Sequence, residues 1–134
     1  MARLNDAQRA FIQDNPFVGV VTTLRADGSP HSTVVWVHAT DDAVEFNTPA
    51  ESAKARHIAA DPRITLVVVD PAEMYRWVGV SGTATVTAEG ADEHIDMLAK
   101  KFLGADTYPF RRPDQTRLKV TIAPGSISGI GFSE

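Results

Sequence analysis

Apolar and polar positions alternate with a period of two along most of this chain, and the alternation is interrupted by three stretches of helical period. Phe17 to Leu24 is β-branched and apolar and predicts a strand. Arg25-Ala26-Asp27-Gly28-Ser29 follows as a hairpin turn, with Asp-Gly supplying the positive φ such turns need. Pro30 opens a second strand, where a missing N–H is tolerated, and that strand runs to about Ala39. Asp41-Asp42 turns the chain again, and Ala43 to Asn47 completes a meander. Arg63 to Asp70 is a strongly apolar strand, followed by a turn at Pro71-Ala72-Glu73. From Tyr75 to Thr87, Val78, Val80, Ala84 and Val86 share one face, while Gly79, Ser81, Thr83 and Thr85 share the other. Gly82 interrupts the apolar face, as a bent barrel strand requires. The small polar face leaves room for a neighbour, a ligand or a second subunit. Leu118, Val120 and Ile122 alternate with Arg117, Lys119 and Thr121 in a last strand, which reaches toward Ile127 after a break at Pro124-Gly125.

The helical stretches are equally legible. Asn5 or Asp6 caps a short helix that carries Ala7, Ala10 and Phe11 and stops at Asn15-Pro16. A second helix runs roughly from Glu51 to Ala60, with Ala55, Ile58 and Ala59 inward, and ends at Asp61-Pro62. A third runs from about Ala91 to Leu103, with Ile95, Leu98, Ala99 and Phe102 at helical spacing and Gly104 as its stop. The segment 106–113 is irregular. Six or seven strands, many antiparallel, with two to three peripheral helices make a mainly β (α+β) protein. A closed or split antiparallel β-barrel is the expected architecture, because it removes exposed strand edges.

The length of 134 residues fits a single domain over 1–134. No apolar run approaches the length of a membrane span, and the first residues lack a secretory core, so a cytoplasmic location is expected. The absence of cysteine removes disulfides and thiolate chemistry. A net charge of −4 argues against a general nucleic-acid binder. The four histidines have no metal-ligand spacing, so no metal site is expected.

Candidate chemistry gathers at Asn47-Thr48-Pro49-Ala50-Glu51-Ser52-Ala53-Lys54. A strand ends there and a helix begins, so free N–H groups and the helix dipole favour an anion. Asn47, Thr48 and Ser52 add neutral donors, and Lys54 adds a positive charge at the edge of the helix's buried face. Arg56 points about 200° away from Lys54 around the helix. The same residues would also serve as an ordinary helix cap with a solvated lysine. Arg111 and Arg112 suit either a solvated loop or an anion reached across a dimer. No catalytic acid or base is assigned; His31 and His38 are titratable candidates, and each equally suits a turn or strand-end histidine.

Taken in order, Gly19-Val20-Val21-Thr22-Thr23, Asp27-Gly28-Ser29-Pro30-His31, Phe46-Asn47-Thr48, Lys54-Ala55-Arg56-His57-Ile58 with Asp61-Pro62-Arg63, and Val80-Ser81-Gly82-Thr83-Ala84 resemble the pyridoxamine 5′-phosphate oxidase-like split β-barrel family. The resemblance is closest to its coenzyme F420-dependent (deazaflavin) oxidoreductase branch. It implies a homodimer with the cofactor at the subunit interface, while the charge and the lack of a long apolar run already argue for no membrane and no nucleic-acid partner. It implies that Asn47, Thr48, Ser52, Ala53 and Lys54 contact the cofactor's phosphate and ribityl region, that His31 borders the ring or tail, and that Tyr75, Arg76 and Trp77 lie near the tail. The implied activity is hydride transfer from reduced F420 to a small conjugated acceptor such as a quinone, enone, nitroaromatic or tetrapyrrole. The alternatives are an FMN-dependent oxidoreductase and a non-catalytic flavin, deazaflavin or haem binder. The resemblance also implies that the pyridoxamine-phosphate substrate residues of the true oxidases lie in a C-terminal extension, so that specific activity is not expected here.

Overall fold

A computed structural model describes residues 2–132. The elements in chain order are α1 (Asp6–Gln13), β1 (Gly19–Leu24), β2 (Pro30–Val35), β3 (Val37–Ala39), β4 (Val44–Pro49), α2 (Ala53–Ala60), β5 (Arg63–Asp70), β6 (Glu73–Thr87), α3 (Ala91–Leu103) and β7 (Arg117–Ile130). The seven strands form one antiparallel sheet in the order β2-β1-β5-β6-β7-β4-β3. The sheet curls into a split half-barrel.

Its two edges, β2 and β3, are consecutive in the chain and are separated only by Trp36. The expected single strand from Pro30 to Ala39 is therefore two. Val35 and Val37 are both buried, so the alternation carries on through Trp36 while the pairing partner changes from β1 to β4, and the chain steps from one edge to the other. The reverse occurs in β7, which continues through the expected break at Pro124-Gly125. A register shift between Ser81 and Gly82 sets Gly82 opposite Pro124, so the strands bend together there. A Cβ at Gly82 would overlap the carbonyl oxygen of Ala123, which is why the position carries none.

The core fills the inside of the curl. Val37, Val44, Phe46, Leu66, Val68, Val78, Val120 and Ile122 are fully enclosed. β5 alternates buried Ile64, Leu66 and Val68 with outward Thr65, Val67 and Val69. Val86 departs from the expected inner face and is 40% exposed, because β6 runs past the core beyond Ala84. The outer face carries a small apolar row of Val34, Val20, Val67 and Gly79, beside a hydroxyl row of Ser32, Thr22, Thr65 and Ser81.

Local chemistry sets the helix ends. Asn5 and Gln8 make a reciprocal capping box on α1. Ser52 caps α2, so this helix starts at Ala53 rather than Glu51. α1 and α3 cover the β3 edge of the split. Gln13 Nε2 donates to Ala39 O at 2.7 Å, and Lys101 Nζ donates to the carbonyls of Ile12 and Val37. Phe102 stacks on Trp36 at 5.6 Å with the rings 9° from parallel.

Candidate functional site

A cleft of about 250 Å³ opens at the split, where the chain leaves β2, crosses Trp36 and meets the end of β4. Trp36, Tyr108 and Phe110 form one wall, and Asn47, Lys54 and Arg117 face it. Ile95 and Leu98 of α3 line it from below, while Val18 and Val34 reach it from the sheet's outer face.

Two cations dominate its electrostatics. Lys54 is half-buried at the start of α2; burial, and then the charge of Arg117, push its ammonium below the usual lysine range. Arg117 is buried and is likewise lowered by burial, with its guanidinium 5.1 Å over the Tyr108 ring. Among the described residues neither makes an ion pair with a carboxylate. Like charges drawn together in a partly dry cleft without a counter-charge make a site for an anion.

The neutral donors play different parts from those expected. Asn47 Oδ1 accepts from Arg117 Nε at 2.8 Å, while its Nδ2 donates to Ala91 O at 2.9 Å and faces His94 Nδ1 at 3.0 Å. Both amide hydrogens are thus engaged inside the protein, and Asn47 holds an arginine rather than offering a donor to the cleft. Thr48 Oγ1 donates to Ser52 Oγ at 2.9 Å, and Ser52 Oγ also accepts from Ala55 N at 3.2 Å. Ser52 is turned to cap the helix. Ala53 contributes only backbone, as the first residue of α2.

The remaining expected residues lie elsewhere in the same chain. His31 sits beyond the cleft, edge-on to His57 at 5.1 Å, and His57 Nδ1 is 2.8 Å from Thr23 Oγ1. Arg76 packs over Phe132 at 4.9 Å and Phe11 at 5.2 Å and pairs with Asp70 at 3.4 Å. Tyr75 is exposed, and Trp77 lies half-buried on the outer face against Gly79. Arg111 pairs with Asp92 at 3.1 Å and Asp96 at 2.6 Å, while Arg112 pairs with Asp114 at 3.0 Å, as in a solvated loop. The described residues contain no helix long and apolar enough to cross a membrane.

The family model described as pyridoxamine 5′-phosphate oxidase matches residues 4–127, nearly the whole chain. The chain belongs to this family. The pyridoxamine 5′-phosphate oxidase family comprises flavin-binding oxidoreductases, and the split barrel is its fold. A curated relative from Pseudomonas entomophila, described as pyridoxine/pyridoxamine 5′-phosphate oxidase, is 38% identical over 79 residues. That match takes in 58% of this chain and 36% of the relative, about a third of its length. A solved structure described as an F420 reductase superposes with a TM-score of 0.77 at 22% identity, covering 89% of this chain and 94% of that one. General Stress Protein 26 from Bacillus anthracis superposes at 0.69 with 21% identity, over 91% and 90% of the two chains. At such identities the superpositions establish the common fold.

Arg117, His94 and Tyr108 were not expected at the site. In β7 the reading of alternation places Arg117 outward with Lys119; β7 keeps an unbroken register with β4, and Arg117 is buried because Asn47 and the Tyr108 ring lie against it. A cation at a strand's first residue, opposite Pro49 at the motif's own strand end, was the available signal. His94 had none, since a single histidine on an amphipathic helix reads as part of its polar face.

Proposed function

We propose that this protein is an oxidoreductase that binds a flavin-type cofactor with the cofactor's phosphate between Lys54 and Arg117, and that its cofactor is reduced coenzyme F420. The observation that carries the reading is the pair of cations, half-buried Lys54 and buried Arg117, lining one cleft at the start of α2 with no carboxylate partner among the described residues. A phosphate there removes their mutual repulsion and accepts from donors already positioned. When bound, the cofactor supplies the hydride to a small conjugated acceptor. Lys54 and Arg117 bind the anion, Asn47 orients Arg117, and Trp36, Tyr108 and Phe110 limit water on one side.

A homodimer fits the same reading. The outer row of Val34, Val20 and Val67 is 64%, 43% and 41% exposed, and Val34 also lines the cleft. A second copy on this face covers the row and closes the open side of the cleft. Trp77 lies on that face too, so a partner subunit is the route by which Tyr75, Arg76 and Trp77 would approach a bound cofactor.

FMN is the second reading, favoured by the family match and by the Pseudomonas entomophila relative. A native mass spectrum of freshly purified protein reports subunit number and retained cofactor together. Fluorescence titration with F420 and with FMN then separates the readings. Saturable micromolar binding of F420, followed by its oxidation with a quinone or enone, supports the first. Protein that purifies yellow with a flavin spectrum supports the second, and tight binding without turnover makes the protein a carrier. No saturable binding of either coenzyme overturns the proposal.

A further inference from the structure

A buried polar chain runs behind the cleft and joins three elements. Arg117 on β7 donates through Nε to Asn47 Oδ1 on β4, and Asn47 Nδ2 meets His94 Nδ1 on α3 at 3.0 Å. The other ring nitrogen of His94 is buried, lacks a hydrogen-bond partner among the described residues, and lies 3.6 Å from Glu45 Oε1. Glu45 Oε2 in turn accepts from Thr121 Oγ1 at 3.2 Å.

The donors and acceptors in this chain can be assigned. An asparagine amide presents two donors on one side and an acceptor on the other, and either orientation fits the same space. In the observed orientation, Nδ2 faces the Ala91 carbonyl and Oδ1 faces the Arg117 N–H. Flipping it would oppose two carbonyls and two N–H groups. The observed orientation also requires that His94 Nδ1 be bare, which puts the ring proton on Nε2, toward Glu45. A protonated Nδ1 would set two donors against each other 3.0 Å apart.

We propose that His94 is a positioning residue of the anion cleft: as its neutral Nε2–H tautomer it locks the Asn47 amide, which aims Arg117 at the ligand. The inference rests on the reading of the cleft as an anion site. The charged and titratable groups around the ring are Glu45 on β4, Lys119 on β7 and His38 on β3. Burial, reinforced by Lys119 and His38, pushes the imidazole down to about 4, so the ring stays neutral near neutral pH.

The test is nitrogen-15 spectroscopy of the full chain at neutral pH, with inorganic phosphate as the probe. The native protein should show His94 with Nε2 protonated and Nδ1 bare, and a separately shifted Arg117 Nε–H signal that phosphate moves. In His94→Phe, which keeps a ring but removes the acceptor, that signal should lose its separate shift. The same phosphate response should then need about tenfold more phosphate. His94→Gln, whose side-chain carbonyl can accept from Asn47, should restore both. A proton on Nδ1 in the native protein overturns the proposal, as does an Arg117 signal unchanged in a folded His94→Phe. If that variant does not fold, the tautomer of the native ring decides. If phosphate leaves the native Arg117 signal unmoved, the anion reading of the cleft fails, while tautomer and signal still judge the part of His94.

Discussion

Lys54→Met removes one charge from the cleft while keeping an unbranched side chain over the same apolar neighbours. Two opposite effects follow from the geometry. Without ligand, Lys54 and Arg117 are partly dehydrated and repel each other, as the lowered lysine range records. Removing the lysine charge relieves that repulsion, by an amount on the order of 0.5–1 kcal/mol at a partly solvated position. For a chain of this length that raises the melting temperature by about 2–4 °C. With ligand, the variant lacks a charge-assisted contact of about 1.5–3 kcal/mol, which weakens binding roughly tenfold to a hundredfold.

The assay is a thermal melt with and without cofactor. At a concentration one hundred times the native dissociation constant, ligand stabilises the native protein by about 2.7 kcal/mol. If Kd rises about thirtyfold, the same concentration stabilises the variant by only about 0.9 kcal/mol. The ligand-induced shift should therefore fall to about a third while the unliganded protein melts no lower. Melting several degrees lower without ligand would mean that Lys54 holds the fold together. An undiminished ligand shift would mean that the cofactor anion lies elsewhere. Either result refutes the reasoning.

Gly82→Ala drives a methyl group into the Ala123 carbonyl, and because the obstacle is backbone the β6–β7 ladder must open. We expect a loss of about 3 kcal/mol, seen as a melting temperature lower by roughly 10 °C; a drop under 2 °C, of about half a kcal/mol, would show that the bend is soft. Lys101 is pushed down to about 8 by burial, so between that pH and the ordinary lysine value near 10.5 the unfolded chain binds a proton that the folded chain does not. Stability relative to Lys101→Met should therefore rise from pH 7.5 to about 9.5 in urea titrations, and a flat difference would contradict it. Val67→Glu places a charge in the middle of the outer face, where the single chain leaves it in water. If the proposed dimer uses this face, light scattering should show native dimer and folded monomeric variant, and an equal mass for the two would place the interface elsewhere.

Features that one residue and its neighbours decide were legible in the sequence. Gly28 adopts φ +85° in the Asp-Gly turn, and Gly104 adopts φ +72° at the end of α3. The strand-to-helix junction was legible to within two residues, with the helix expected from Glu51 and found from Ala53, capped by Ser52. Features that a distant partner decides were not legible. Whether Asn47 offers its amide to a ligand depends on Arg117, 70 residues later, and on His94, 47 residues later. The change of partner at Trp36, from β1 to β4, depends on α3 supplying Phe102 to cover an edge that strand propensity alone would continue. β7 keeps its register and still buries the charge of Arg117, because Asn47 and Tyr108 lie against it. Alternation presumes that only one face of a strand is covered, and it misleads at Arg117, where the other face is covered too.

The open sheet also explains why the cleft lies where it does. A fully closed barrel would pair β2 with β3 and leave no space between them. Here the edges stay apart, and α3 supplies what pairing would have supplied: Lys101 satisfies the Val37 carbonyl, and Phe102 covers Trp36. The same helix carries Ile95 and Leu98 into the cleft and His94 behind Asn47. These residues repeat at helical spacing, so one face of α3 both seals the split and sets the geometry of the cations. Substitutions at Lys101 or Phe102 should alter anion binding without touching the ligand, because a shift of α3 moves His94, and with it the orientation of Arg117. A helix that only covered the edge could be moved with no effect on the cleft, and the buried chain from Glu45 to Arg117 is what denies α3 that independence.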